Sequence, residues 1–436
     1  MTADPRATLV VGAGQAAVSL VTELRALGDS APVVMIGTEP EPPYERPLLS
    51  KGYLLGERDR ASFTLWDTSS PAAQGISLIT GDTVVDVQRD ERGGRATTSC
   101  GRKIDFARLA LVTGAREALL PVDGAGHDGV LTLRTVADAN RLAAALRGGT
   151  LPGGTAREGQ RPVEVVVVGG GFIGLEVAAS ARTLGASVTV VEAADRVLSR
   201  SVTPLVSRYV AQFHESRGTR VLLGATVVRI HGATGRAEAV VLTDGTELSA
   251  DLVVVGVGAL PRSELAAAMG LTVVRRGIVV DDRARTSDGV TVAAGDVTIG
   301  PNPYAAGVPG LVRLESVSHA TEQARVAAAT LLGHHTAYTA VPWFWSDQGD
   351  LRLQIAGLPQ GADETVLRGE PGAGSFSVLS YRGEQLIAAE SVVASADYLA
   401  VKRALEKGLT VPADVAGNSG TPLKRLLRPA SNASPS

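Results

Sequence analysis

One pattern occurs twice in this chain: a short β-branched run, a glycine turn, an amphipathic stretch and a second apolar run. The first copy is ATLVVGAGQAAVSLVTELRALG, returning in VVMIG near residue 36; the second is VEVVVVGGGFIGLEVAASARTLGASVTVVEA, from Val163 to about Glu192. A buried run, a helical period and a second buried run predict a β-α-β unit of a parallel sheet, so the chain must accommodate two such units. Gly12, Gly14 and Ala17 form GxGxxA, and Gly169, Gly171 and Gly174 form GxGxxG. In such turns the first two glycines let the backbone approach a pyrophosphate, and the helix start supplies free N–H groups and the positive end of its dipole. A lone pattern of this kind is equally a tight turn without ligand. Two copies, each following an apolar strand and each with an acid near the return strand's end, favour dinucleotide sites. Ala16 and Ile173, inside the two turns, join the expected contacts.

Glu192 closes the second unit and is placed to accept hydrogen bonds from an adenosine ribose diol. A 2′-phosphate at about 4 Å from it would be repelled by roughly 1 to 4 kcal/mol, which favours NADH, although Arg196 nearby softens the preference. In the first unit Glu39 is the corresponding acid, with Thr38 as the plainer alternative. Either acid reads equally as a solvated turn carboxylate. Tandem sites suit a protein that holds one dinucleotide permanently, most economically FAD at the N-terminal fingerprint, and exchanges a nicotinamide at the other.

Composition narrows the class. With 436 residues, 44% hydrophobic, 20% charged and 50 glycines, the chain reads as a multidomain globular α/β protein. The net charge of −3 provides no general field for nucleic acid or an anionic membrane. A single cysteine, Cys100, leaves neither an intrachain disulfide nor a thiolate cluster, so redox chemistry would come from a bound cofactor. The six histidines show no metal spacing, and no metal site is expected. The N-terminal MTADPRATLVVGAG lacks a secretory leader and no apolar window is long enough for a bilayer, so a soluble, cytoplasmic protein is expected.

The expected organisation has α/β fold class: two Rossmann-like dinucleotide-binding domains, for FAD and NAD, plus a C-terminal α+β domain, a glutathione-reductase-like architecture. Residues 1–117 and 251–333 form the FAD-binding domain in two parts, 118–250 the NAD(H)-binding domain, 334–425 an interface domain, and 426–436 a disordered tail. LRTVADANRLAAALRGG reads as a helix and residues 148 to 162 as a surface loop.

VVGAGQAA, PPYERPLLSK, LVTGA, GGGFIGLEVA, GVGALPR, AAGDV, RLESVSHATEQA and VPWFWSDQGDLRLQIAG occur in that order along nearly the whole chain. In this set the sequence resembles the flavoprotein ferredoxin reductases that serve bacterial cytochromes P450 and ring-hydroxylating dioxygenases, of the putidaredoxin reductase and biphenyl dioxygenase reductase type. The resemblance implies an FAD-dependent ferredoxin–NAD(+) reductase, in which hydride from NADH reaches FAD and single electrons pass to a [2Fe-2S] ferredoxin. It implies that Asp296 holds the ribityl hydroxyls and that Lys51 stands by the isoalloxazine near Glu176. Arg46, Val84, Arg134, Val312 and Trp345 are implied flavin contacts or neighbours, and Gly258 lies by the nicotinamide. Lys51 and Glu176 are thus the expected catalytic pair, holding charge and orientation rather than acting as an acid–base couple.

WFWSDQ gathers aromatic mass. Strand alternation puts Trp343 and Trp345 on one side, which the resemblance places near the nicotinamide and the ferredoxin-docking surface, whereas Phe344 reads as core. Lys402, Arg403 and Lys407 could meet an acidic ferredoxin, or simply form a solvated helix face. His319 stands where the family often carries Asn, and a satisfied, partly exposed histidine is the plainer reading. Leu48, Thr38 and the GALPR ending also depart from the usual pattern. The alternatives are a rubredoxin reductase, an NADH oxidase-like flavoenzyme, a flavin disulfide reductase or NADH peroxidase, for which Cys100 in TTSCGRK is badly placed, and an NADH-responsive binding protein resembling apoptosis-inducing factor.

Overall fold

The computed structural model describes residues 7–66, 72, 74–90, 93–147, 161–305 and 310–430. The chain divides into two compact units, one of residues 1–45, 61–116 and 260–344, the other of 46–60, 117–259 and 345–436.

The first unit is built on a five-stranded parallel sheet in the order Val292–Ala293, Arg108–Leu111, Thr8–Val11, Val33–Ile36, Ile76–Ile79. Thr8–Val11 is buried along its whole length because both sheet faces are covered. Val10 packs on one side with Leu20, Val21 and Leu24 of the helix Gln15–Ala26, together with Ala320, Ala324 and Ala327 of the helix Val317–Leu331. Leu9 and Val11 pack on the other side with Val87, Ala96, Ile104 and Phe106. Those last residues belong to an antiparallel sheet of Val84–Asp90, Gly93–Thr98 and Lys103–Phe106. The helix Gln15–Ala26 can leave its strand so sharply because Gly12 has φ +123°; a Cβ there would sit 2.2 Å from the Val112 carbonyl oxygen.

The second unit repeats the plan, with parallel order Arg220–Leu223, Ser187–Glu192, Glu164–Val168, Leu252–Val255, Val130–Thr132. Its turn is equally tight: a Cβ on Gly174 would lie 2.1 Å from the Gly169 carbonyl oxygen, so the helix Phe172–Thr183 packs against its own strand only with glycine there. The helix Val136–Leu146 starts at a capping box, where Thr135 and Asp138 satisfy each other's amides. A five-stranded sheet in the order Trp343–Gln348, Leu351–Gly357, Gln385–Val392, Ser375–Arg382, Glu364–Glu370 carries the helix Ser395–Glu406, the α+β arrangement expected of the C-terminal region.

The two units do not coincide with the three expected domains: residues 251–259 and the C-terminal residues from 345 fall in the second unit and residues 334–344 in the first. Residues 46–60 group with the second fingerprint rather than with their sequence neighbours. Their bonds explain why: Arg147 Nη2 donates to the Leu54 carbonyl at 2.9 Å, Ser180 Oγ to the Ser50 carbonyl at 2.7 Å, and Tyr53 Oη to Asn140 Oδ1 at 2.7 Å. At the C-terminus Arg428–Pro429 pairs with Leu409–Thr410, so regular pairing extends beyond residue 425, where the tail was expected to begin; residues 431–436 lie outside the described residues. So do residues 148–160 of the expected loop. Among the described residues no helix is long and apolar enough to cross a membrane.

Candidate active site

The first fingerprint ends at Gly14, the N-cap of Gln15–Ala26, which has no side-chain cap and no acid in its first turn. A Cβ on Gly14 would meet nothing within 4 Å. Because the first N–H groups of a helix have no intrahelical acceptor, this start, near Ala16 and Ala17, suits a phosphate. Glu39 accepts the Tyr44 hydroxyl at Oε2, and Thr38 is tied to Thr83 at 3.1 Å, which leaves the acid as the better ribose candidate.

Asp296 is half-buried after the strand Val292–Ala293 and its charge is felt by His319. His319 itself is 5% exposed, which corrects the expectation of a partly exposed, satisfied histidine. Its Nδ1 lies 2.9 Å from the Tyr338 hydroxyl, while Nε2 is buried without a hydrogen-bond partner. Burial pushes this imidazole down to about 4, against the pull of Asp296, so it is neutral. The Val84 side chain is 6% exposed and packs in the core, so only its backbone remains for a ligand. Val312 exchanges backbone hydrogen bonds with Gly300 at 2.9 and 3.1 Å.

In the second unit Gly171 caps Phe172–Thr183, again without a side-chain cap or an acid in the first turn, and the nearest atom to a Cβ there is the Gly256 carbonyl oxygen at 4.0 Å. Ile173 and Val257 are 44% and 37% exposed, an apolar surface beside the fingerprint. Glu192 accepts from Gly170 N–H at 2.6 Å and from Ala194 N–H at 2.8 Å. Each carboxylate oxygen retains a lone pair for a ribose hydroxyl, so Glu192 both shapes the glycine turn and can read the sugar. Arg196 is committed to the Val202 and Ser199 carbonyls, at 2.8 and 2.5 Å, rather than turned toward a phosphate. Gly258 adopts φ +123°, and its carbonyl accepts from Ala118 N–H at 2.9 Å.

Lys51 and Glu176 meet in this unit. Lys51 Nζ lies 2.8 Å from Glu176 Oε2, with the side chains 15% and 2% exposed, and also reaches the Pro47 carbonyl at 3.2 Å. Ser50 Oγ donates to Oε2 at 2.5 Å and Ser346 Oγ to Oε1 at 2.6 Å. A carboxylate can accept all three donors, which is how a nearly inaccessible charge is accommodated. Arg46 Nη1 donates to the Arg134 carbonyl at 2.6 Å, and Arg134 N–H donates to Asp138 Oδ2 at 3.1 Å. Trp343, Phe344 and Trp345 are all half-buried. The sequence reading missed Ser50 and Ser346. Ser346 had a signal, since strand alternation puts it and Gln348 on one face of WFWSDQ, two small polar groups amid aromatics, and both are fully buried.

Residues 6–324 match the pyridine nucleotide-disulphide oxidoreductase family, and residues 343–427 match the reductase C-terminal family. The chain belongs to the pyridine nucleotide-disulphide oxidoreductase family. Rhodocoxin reductase of Rhodococcus erythropolis is 40% identical over 416 residues, 95% of this chain and 93% of that protein. The crystal structure of the covalent putidaredoxin reductase–putidaredoxin complex aligns with a TM-score of 0.89 at 35% identity, covering 98% of each chain. The ferredoxin reductase for the CYP199A2 system from Rhodopseudomonas palustris aligns with a TM-score of 0.88 at 38% identity, covering 96% of this chain and 99% of that one. The disulphide of the family name has no counterpart here: Cys100 is exposed in the turn between Gly93–Thr98 and Lys103–Phe106.

Proposed function

We propose that this protein is an NADH-dependent, FAD-containing ferredoxin reductase, which delivers electrons singly to a [2Fe-2S] ferredoxin that feeds a cytochrome P450 or a ring-hydroxylating oxygenase. The observation that carries this reading is the full-length likeness, both to the nucleotide-binding region and to the C-terminal domain, of reductases named for their iron-sulfur partners. The uncapped helix starts at Gly14 and Gly171 fit the diphosphates of FAD and NADH, and the half-buried carboxylate of Asp296 fits a polyol. When bound, FAD accepts the hydride and parts with its electrons one at a time.

The residues supply position and charge. In this reading Gly12, Gly14 and Ala16 cradle the FAD diphosphate, Glu39 its ribose and Asp296 its ribityl chain. Val84 and Val312 contribute backbone, while Arg46, Arg134 and Trp345 serve the flavin's vicinity. Gly169, Gly171, Ile173 and Gly174 take the NADH diphosphate, Glu192 its ribose, and Gly258 the nicotinamide. Lys51, held by Glu176, presents a cation to the flavin, where a disulfide reductase of similar plan would keep a thiol. In this reading residues 1–117 and 251–333 serve FAD, 118–250 serve NADH and 334–425 form a C-terminal domain. A cytoplasmic location agrees with the lone cysteine. The relatives do not favour the rubredoxin, NADH oxidase or binding-protein readings. The test is the visible spectrum: a flavin band near about 450 nm in the purified protein, bleached by anaerobic NADH, is expected, and a colourless protein that binds no FAD would refute it.

A further inference from the structure

Beyond the Lys51–Glu176 pair, a line of buried polar side chains runs away from the carboxylate. Ser346 Oγ donates to Glu176 Oε1 at 2.6 Å, Gln348 Nε2 donates to Ser346 Oγ at 3.1 Å, and His214 Nε2 lies 2.8 Å from Gln348 Oε1. Glu176, Ser346, Gln348 and His214 are 2%, 0%, 0% and 2% exposed, so bulk water cannot replace a missing partner. His214 comes from the helix Pro204–Ser216, Ser346 and Gln348 from the strand Trp343–Gln348, and Glu176 from the helix Phe172–Thr183.

The direction of this line follows from its end. A carboxylate only accepts, so the single Ser346 proton must go to Glu176. Ser346 Oγ then has only lone pairs to offer Gln348, which must turn its NH₂ toward the serine and its carbonyl oxygen toward His214. His214 Nε2 must therefore carry a proton. Burial and the neighbouring Arg217 oppose the imidazolium, which leaves the neutral Nε2–H tautomer. One carboxylate thus fixes the protonation of a ring three hydrogen bonds away, and every donor in the chain points toward Glu176.

We propose that His214, Gln348 and Ser346 are positioning residues for Lys51: their one-way chain of donors holds Glu176 by Oε1, leaving Oε2 to grip the ammonium. The inference rests on the reading above, in which Lys51 serves the hydride step. It makes the grip on Lys51 depend on the helix Pro204–Ser216 and on the strand Trp343–Gln348. If His214 can no longer donate, the Gln348 amide is free to turn, Ser346 can donate to it instead, and Glu176 loses a donor. A glutamine at position 214 could still donate, so it should restore what an apolar ring removes.

Two measurements on the full-length, flavin-loaded protein test this. ¹⁵N-histidine NMR, with His214→Gln for assignment, should find the Nε2–H tautomer at His214; its signals should move in Glu176→Gln and in Ser346→Ala. An Nδ1–H tautomer or an imidazolium in the wild type, or signals unmoved in both variants, overturns the relay. Anaerobic stopped-flow reduction by NADH should show a limiting rate about three- to tenfold lower in His214→Phe and Ser346→Ala, recovery in His214→Gln, and no change in apparent NADH affinity. Unchanged limiting rates in variants that retain flavin overturn the positioning role. If NADH fails to bleach even the wild-type flavin, the functional reading falls, while the NMR still decides the relay.

Discussion

Lys51→Met keeps most of the lysine stem and removes the cation from a carboxylate whose side chain is 2% exposed. Stripping one partner from a buried ion pair costs about 3 to 5 kcal/mol, because the remaining charge is left uncompensated. The Ser50 and Ser346 hydroxyls still donate to Glu176, which places this site at the lower end, about 3 kcal/mol. Glu176→Gln leaves the opposite remnant: an ammonium with 15% side-chain exposure and a bond to the Pro47 carbonyl. That remnant is better solvated, and the cost should be about 1 to 2 kcal/mol. The double variant should then cost clearly less than the sum, with a coupling of at least about 1 kcal/mol. Urea titrations followed by tryptophan fluorescence and far-UV circular dichroism measure all four proteins. Equal costs for the single variants, or additivity within about 0.5 kcal/mol, would refute the account of a desolvated pair.

Glu390 is fully buried and accepts the Thr203 N–H at 2.7 Å and the Thr203 hydroxyl. Burial pushes its carboxyl up to about 7 from the ordinary 4.5, with Thr203 and Arg196 pulling the other way. The folded state therefore prefers the proton: its stabilisation is complete below pH about 4.5 and is lost as the pH rises through about 7, a swing of roughly 3 kcal/mol. Glu390→Gln should remove that slope and be the more stable protein at about pH 8; an unchanged pH dependence of the urea midpoint would contradict this. Glu192→Gln should weaken NADH more than NADPH and narrow the preference several-fold, and it should loosen the Gly170 turn. Unchanged kinetics with both nucleotides would show that Glu192 does not read the ribose. Cys100→Ser should leave ferredoxin-dependent turnover intact, whereas its loss would point to a thiol mechanism.

The two nucleotide-binding units were legible because their determinants are local: β-branched runs, glycines at fixed offsets, and a helical period. Gly12 and Gly174 show why those letters are compulsory, since any Cβ would enter a carbonyl oxygen at 2.2 or 2.1 Å. Pairings between distant segments left weaker traces. Nothing near residue 50 announces that Arg147 and Ser180 will draw residues 46–60 into the second unit. Likewise Glu192 could be read as a ribose acid, but its bonds to Gly170 and Ala194 could not. His319 and His214 illustrate the same limit, because a histidine's burial is set by what folds over it. His214 acquires meaning only from Gln348, 134 residues away.

The most direct test of the central claim is NADH-driven reduction of cytochrome c, measured against rising concentrations of purified [2Fe-2S] ferredoxins. The account predicts slow basal turnover and a saturable acceleration by at least one ferredoxin, with NADH outperforming NADPH. A flavin that NADH bleaches readily, yet whose turnover no ferredoxin accelerates, would contradict it.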